Sequence, residues 1–334
     1  MDRALRSPFL RFIIGLCTSA FFLYLAFRNV TLRQVGQALS GAVLYWIGLA
    51  LLCSLVTILL KTVRWRILLG QPGRELSFRI LSMALVSGQM INWIVPARLG
   101  DVSRAYVVGG LGPGRVFVFG TVMLEKIIDL SCYALLFISL FLLIPLPAWL
   151  NSSGYVVVGL ATIIILLTTM MAFHRQRFIR LLGWLSAQLP HRIRSYLDPR
   201  IHSGLNSLDV LQSPTEVIKL GFWSALVWAT MLITNQLMLW ALGIHLPLSA
   251  AMLIMVGLQA SISLPNMPGT IGLFEYVCVL GLSLFEIPQS QALSFGILLH
   301  AVAFLPIFLL GLLSFMALDL KSQKMDLSET KEVY

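Results

Sequence analysis

The chain has 334 residues, 58% hydrophobic and 11% charged, with a net charge of +10. A soluble domain carries about 25% charged residues. Lipid-facing surface must be apolar, so charge retreats to ends, loops and interior sites; the composition excludes a soluble catalytic domain and describes an all-α polytopic membrane protein.

The N-terminus carries Arg3, Arg6 and Arg11 before apolar residues 12–27. Arg28 follows without a small-residue cleavage site, so an uncleaved first span, 9–27, is expected. Further spans are predicted at 43–60, 116–145, 154–173, 216–243 and 291–318, each near the length a bilayer requires. Residues 80–113 and 249–286 are apolar but interrupted, at Pro96-Ala97-Arg98-Leu99-Gly100-Asp101 and at Pro265-Asn266-Met267-Pro268-Gly269-Thr270.

Basic residues cluster beside the apolar stretches, which points to anionic lipid at a cytoplasmic face rather than to nucleic acid. Segment 174–200 holds six arginines against Asp198, and 61–79 holds Lys61, Arg64, Arg66, Arg74 and Arg79. Both are assigned to the cytoplasm, the former read as a helix along the membrane surface, and uncharged 146–153 to the outside. Lys61-x-x-Arg64-Trp65-Arg66 reads as an interface anchor ending the second span.

Parity then makes each interrupted region enter and leave on one side, 80–113 from the cytoplasm and 249–286 from outside. Re-entrant hairpins are preferred over pairs of short spans. Gly88, Pro96 and Gly100 match Gly257, Pro265 and Gly269 at an offset of 169. With matching flanking spans and opposite entry sides, this predicts two inverted-topology repeats, about 43–145 and 216–318. A basic connector, 174–215, lies between them in one membrane domain, 1–318, and 319–334 forms a cytoplasmic tail. The alternative is that these Gly and Pro residues only permit close helix crossing.

Intramembrane charges are costly and are functional candidates by default. The set is Arg98, Asp101, Arg104, Glu125, Lys126, Asp129 and Glu275. Asp101 and Thr270 are predicted N-caps of restarted helices, whose free N–H groups would suit an anion. Glu125 and Asp129 share a helix face and are expected to hold Arg98 or Arg104, for binding or as a structural ion-pair cluster. Glu275 has no sequence-local partner and is a candidate for an ammonium group or a proton. Asn92, Asn235, Gln236, Gln259 and Asn266 are secondary polar candidates. His245 and His300 are isolated and read as structural. The candidate substrate-binding set is Arg98, Asp101, Arg104, Glu125, Asp129, Asn266, Gly269, Thr270 and Glu275. The four cysteines lack metal-ligand spacing, and neither a nucleophile–base pattern nor a nucleotide motif is visible, so no cofactor and no catalysis are expected.

Arg64-Trp65-Arg66, Asn92-x-x-x-Pro96-Ala97-Arg98-x-Gly100-Asp101-x-x-Arg104, Glu125-Lys126-x-x-Asp129 and Pro265-x-x-Pro268-Gly269-x-x-Gly272-x-x-Glu275 together resemble the lysylphosphatidylglycerol synthase transmembrane region family, also called flippase-like. The resemblance spans residues 10–318. It implies movement of lipids with modified headgroups between leaflets, aminoacylated phosphatidylglycerol being the best-known cargo. Synthesis belongs to an additional soluble domain in some members and is not implied here. Asp101 stands where Glu is common, and Met267-Pro268 replaces a more Gly/Ser-rich run, which bears on the cargo.

The combined expectation is a lipid flippase of the cell (inner) membrane with both termini cytoplasmic. Its expected partners are lipids with anionic or modified headgroups and a lipid-modifying enzyme. The rivals are a secondary transporter of a small anionic solute, a membrane-embedded transferase, and a non-catalytic partner of a biosynthetic enzyme.

Overall fold

The computed structural model describes residues 8–28, 30–95, 98–143, 204–261 and 268–332, with a few single positions between 159 and 166. Side chains are described from Gly15 to Leu318 within these ranges, apart from Leu143 and Pro268. The predicted span 154–173, the loop 146–153, the arginines of 174–200, and Pro96, Ala97, Pro265, Asn266 and Met267 lie outside the described structure or reach it only at isolated positions.

All the described elements are helices. They are α1 (Pro8–Phe27), α2 (Leu32–Ser40), α3 (Leu44–Leu68), α4 (Gly70–Glu75), α5 (Phe78–Ile94), α6 (Leu99–Gly109) and α7 (Arg115–Leu143). A 3-10 turn (Asn206–Gln212) precedes α8 (Pro214–Ala241), α9 (Leu248–Ser261), α10 (Leu273–Ser283) and α11 (Gln289–Glu332). By length and composition α3, α8 and the Gln289–Leu318 part of α11 can each cross a membrane; α1 and α2, bent by 73°, can together form a fourth span. Only 22, 28 and 11% of the apolar windows of α3, α8 and α11 are buried within the chain, so most of their apolar surface faces outward. Outward apolar surface on this scale is stable only against lipid. The chain is a multi-pass membrane protein.

The helices form two compact units. The first draws on Met1–Thr57, Leu136–Gly154 and Trp228–Pro306, the second on Ile58–Leu135, Tyr155–Val227 and Ile307–Tyr334. The first holds α1, α2, α9 and α10, and its core joins Leu237, Met238, Ile254, Phe274, Leu282 and Phe295. The second holds α4, α5 and α6, and its core joins Trp65, Leu68, Leu85, Val108, Val122 and Leu211.

In lipid, apolar contact between helices gains little over apolar contact with tails, so packing quality decides. Small residues provide it. A Cβ on Gly100 would strike the Gly88 carbonyl oxygen, and one on Gly88 would meet Arg104 Cγ at 2.5 Å. These two glycines bring α5 and α6 into backbone contact. In the first unit, fully buried Ala50, Ala250, Ala251 and Ala292 serve the same end.

The structure revises several expected boundaries. α3 runs on to Leu68, eight residues beyond the predicted span end, because Lys61 to Leu68 contains no helix breaker and buries Arg64 and Trp65. The tail 319–332 continues α11 as helix. The two interruptions also differ in length. α6 begins at Leu99, three residues after Pro96, whereas α10 begins only at Leu273, eight after Pro265. Gly100 therefore lies inside a helix, while Gly269 sits in a 3-10 turn at φ 77°. The extra length follows from Gly269, Thr270 and Gly272, all at positive φ, which an α-helix excludes.

Candidate functional site

The second unit contains a buried network of charges. Arg104 Nη2 lies 2.7 Å from Glu125 Oε2 and Nη1 lies 3.5 Å from Oε1. Arg64 Nη1 and Nη2 reach Asp129 Oδ1 and Oδ2 at 2.6 and 3.1 Å. A 3.7 Å contact between Arg64 Nη2 and Glu125 Oε1 joins the two pairs. Glu125 and Asp129 are one turn apart on α7, so one helix face presents both carboxylates, and α3 and α6 each supply a guanidinium.

A flat neighbour favours arginine at position 104. The Arg104 guanidinium lies 4.1 Å over the Trp65 ring, whose Nε1 donates to Thr121 Oγ1 at 3.2 Å. A planar cation can stack on a ring and fork to a carboxylate at once, which an ammonium cannot. Arg64 Nη1 also donates to Ser224 Oγ at 3.4 Å.

The network continues towards the helix break. Asp101, in the first turn of α6, places Oδ1 3.3 Å from Lys126 Nζ and 3.8 Å from Arg104 Nη1. Its backbone N–H donates to Asn92 Oδ1 at 3.3 Å, tying α6 to α5. The six charges Arg64, Arg104, Lys126, Asp101, Glu125 and Asp129 balance, and Lys61, within electrostatic range of Asp129, Arg64, Glu125 and Lys126, adds a further cation. Arg64, Arg104 and Glu125 are enclosed, whereas the side chains of Lys126 and Asp129 are 33% and 28% exposed. The cluster thus has a sealed interior and an accessible edge.

The first unit contains a separate polar centre. Glu275 Oε1 lies 2.6 Å from His300 Nδ1, and Glu275 Oε2 accepts the Gly272 N–H at 2.7 Å. Both side chains are buried. Phe274 stacks on the imidazole with centroids 4.4 Å apart.

The family model for the lysylphosphatidylglycerol synthase TM region matches residues 12–311. The chain belongs to that family. No curated protein matches it. The lysylphosphatidylglycerol synthase TM region is a membrane domain associated with lipid synthase- and flippase-related function.

Within this family member, the structure gathers Arg104, Glu125 and Asp129, and adds Asp101, Lys126 and Arg64 to them. The sequence reading left Arg64 in an interface anchor; its burial beside Trp65 moves it into the cluster. Of the two arginines expected on Glu125 and Asp129, the structure places Arg104 there and not Arg98. Those carboxylates are occupied by Arg104 and Arg64, and Arg98 is exposed at the break with a left-handed φ of 54°.

The predicted caps also move. Asp101 is inside the first turn, and the N-cap position belongs to Arg98. Thr270 lies in the 3-10 turn, and Gly272 caps α10 with Glu275 reaching back to its N–H. Glu275 has a partner after all in His300, which had been read as isolated because 25 residues separate them. Gly269 and Thr270 lie in the break next to this pair; Asn266 falls outside the described residues. Of the secondary candidates, Asn92 bridges the first break, while Asn235 Nδ2 and Gln236 Nε2 donate to the Met231 and Leu246 carbonyls.

Proposed function

We propose that this protein is a lipid translocase that moves a phospholipid or lipid-linked headgroup between leaflets. The observation that carries the reading is the Arg64–Arg104–Glu125–Asp129 cluster with its edge at the α5–α6 break. Charges in a membrane domain are expensive and mark substrate paths. A cluster of paired charges, in which Arg64 Nε and Arg104 Nε alone among the guanidinium nitrogens are left without hydrogen-bond partners, supplies a polar wall. Its accessible edge, Lys126 and Asp129, together with the exposed Arg98 at the break, offers cations to an anionic headgroup and a carboxylate to an ammonium. A zwitterionic or modified anionic headgroup matches that mixture.

The proposed architecture is two inverted repeats, each with a re-entrant broken helix pair. Its supports are the 169-residue offset, the opposite entry sides read from charge, and the occurrence of one broken pair in each unit. Helix lengths agree: α5, α6, α9 and α10 have 17, 11, 14 and 11 residues. At 1.5 Å per residue these are about 16–26 Å long, short of a roughly 30 Å hydrocarbon core. We place both termini on the cytoplasmic side of the cell (inner) membrane. Lipids with anionic or modified headgroups are the proposed partners, and a lipid-modifying enzyme supplying them is a further one. The reading assigns no chemical step to the chain.

The test is reconstitution into vesicles with fluorescent phosphatidylglycerol and aminoacylated phosphatidylglycerol in one leaflet. Lipid should change leaflet faster than in protein-free vesicles. Arg98→Ala and Lys126→Ala should slow it about tenfold, equivalent to about 1.4 kcal/mol, with unaltered folding. Transport of a soluble phosphate ester with no lipid movement would favour a solute carrier instead.

A further inference from the structure

We propose that the groove between the ends of α1 and α10 holds one anionic phospholipid of the bilayer, with its phosphate on Arg28 and one acyl chain along Leu25, Val279 and Leu280. The site lies in the first unit and goes beyond the translocase reading. It requires only that the chain be embedded in lipid.

Two helices running in the same direction make the groove. α1 and α10 touch beside the break, where a Cβ on Gly272 would lie 2.5 Å from the Ser19 carbonyl oxygen. One turn further along both helices, Phe22 and Tyr276 pack with ring centroids 5.3 Å apart. Beyond that aromatic pair a cavity of about 230 Å³ opens, with Tyr276 at the end nearest the break. Leu25 and Arg28 carry on the α1 face that Phe22 begins, and Val279, Leu280 and Ser283 carry on the α10 face of Tyr276, at the three- and four-residue spacing of one helix side. Gln289, at the start of α11, also lines the groove. Its Nε2 donates to the Leu25 and Ala26 carbonyls at 3.2 and 3.0 Å, which fixes that wall to the end of α1.

The walls present hydrocarbon first and polar groups last. Leu25, Val279 and Leu280 are apolar, and Leu280 is exposed, so the groove opens sideways to lipid tails. Arg28 and Ser283 follow one turn later. Polar residues collect at this end of the unit: the apolar run of α1 stops at Arg28, the chain bends by 73° into α2, and Arg33, Gln34, Gln37 and Glu286 are exposed. An arginine at the end of a span lays its stem on apolar surface and its charge among headgroups. Phosphate and acyl chain occur in that same order along a phospholipid.

Charge and hydrogen bonding narrow the occupant. Among the described residues Arg28 is the one cation lining the groove, and no carboxylate lines it. A guanidinium forks to phosphate oxygens. Ser283 Oγ donates its proton to the Leu280 carbonyl at 2.8 Å, so towards a ligand it accepts. A headgroup with a net negative charge and hydroxyl donors meets both, which describes phosphatidylglycerol. The size agrees. The cavity of about 230 Å³ is smaller than the roughly 300–1,000 Å³ that encloses a small molecule, and a lipid keeps its second chain in the bilayer and needs no enclosure.

The experiment places a photoreactive side chain in the groove, as Leu280→benzoylphenylalanine in the full chain. The vesicles are phosphatidylcholine with a minor share of phosphatidylglycerol, and mass spectrometry of the adduct identifies the captured lipid. The same probe at Leu309, exposed on α11, samples the surrounding bilayer. Phosphatidylglycerol should be captured at position 280 about fivefold above its share, the preference that one cation confers for anionic lipid, and at position 309 in proportion to its share. Arg28→Gln should abolish the enrichment, and Arg28→Lys should keep most of it. Excess glycerol phosphate, which has the phosphate without acyl chains, should leave capture unchanged. Should the probe at 280 prevent folding, native mass spectrometry of the unlabelled chain should show phosphatidylglycerol retained, and lost in Arg28→Gln. Capture at position 280 in bulk proportion, equal enrichment at 309, or enrichment that survives Arg28→Gln would overturn the site. Competition by glycerol phosphate would replace the lipid with a soluble phosphate ester. None of these readouts requires transport, so a failure of lipid movement bears on the translocase reading alone.

Discussion

Arg104 and Glu125 form a two-point ion pair in which both side chains are buried, with nitrogen–oxygen separations of 2.7 and 3.5 Å. They come from different helices, α6 after the break and α7. The pair therefore fixes where the broken segment resumes.

Breaking that pair on one side should be more damaging than removing it. Arg104→Met leaves Glu125 buried without its main cation, at a cost of about 3–5 kcal/mol. Arg104→Met combined with Glu125→Gln should be milder than the sum of the two single changes. Thermal unfolding of the four proteins in detergent gives the coupling directly; strict additivity would show the pair to be energetically idle.

Arg104→Lys keeps the charge but not the plane. It forfeits the fork to Glu125 and the stacking on Trp65, so a loss of about 1.5–3 kcal/mol is expected. The same unfolding measurement would reveal a tolerated lysine if the site required only a positive charge.

Gly100→Ala should destabilise the α5–α6 pair by about 1–3 kcal/mol, because its Cβ meets the Gly88 carbonyl and neither backbone can yield without moving its helix. Gly36→Ala is the control: nothing lies within 4 Å of its Cβ in α2, and alanine favours helix by about 1 kcal/mol. Opposite signs for the two changes are the expected result, read as shifts in unfolding temperature.

The inverted arrangement predicts that residues 110–115 and 287–290 face opposite sides. Single cysteines at these places, in a background without Cys17, Cys53, Cys132 and Cys278, should react with an impermeant reagent added from opposite sides. Reaction from one side for both would end the inverted-repeat proposal.

The sequence by itself determined the class of molecule and its family. Scarcity of charge, long apolar stretches and Pro/Gly interruptions are composition-level consequences of a lipid solvent, so they are visible without coordinates in space. It also marked Asp101, Arg104, Glu125, Asp129 and Glu275, because a charge inside an apolar run is conspicuous wherever it points. Pairing is another matter. Arg64 looked like an interfacial anchor because it follows an apolar stretch, and His300 looked isolated because nothing near it in sequence is charged. Only the tertiary structure brought Arg64 to Asp129, 65 residues away, and His300 to Glu275, 25 away. It also exposed Arg98, a near neighbour of Arg104, since a left-handed residue at the break turns its side chain away from the face its neighbours share. Helical periodicity links residues within one helix; which helix faces which is set by close approach at Gly88, Gly100 and Gly272, and that distance has no signature in a linear chain.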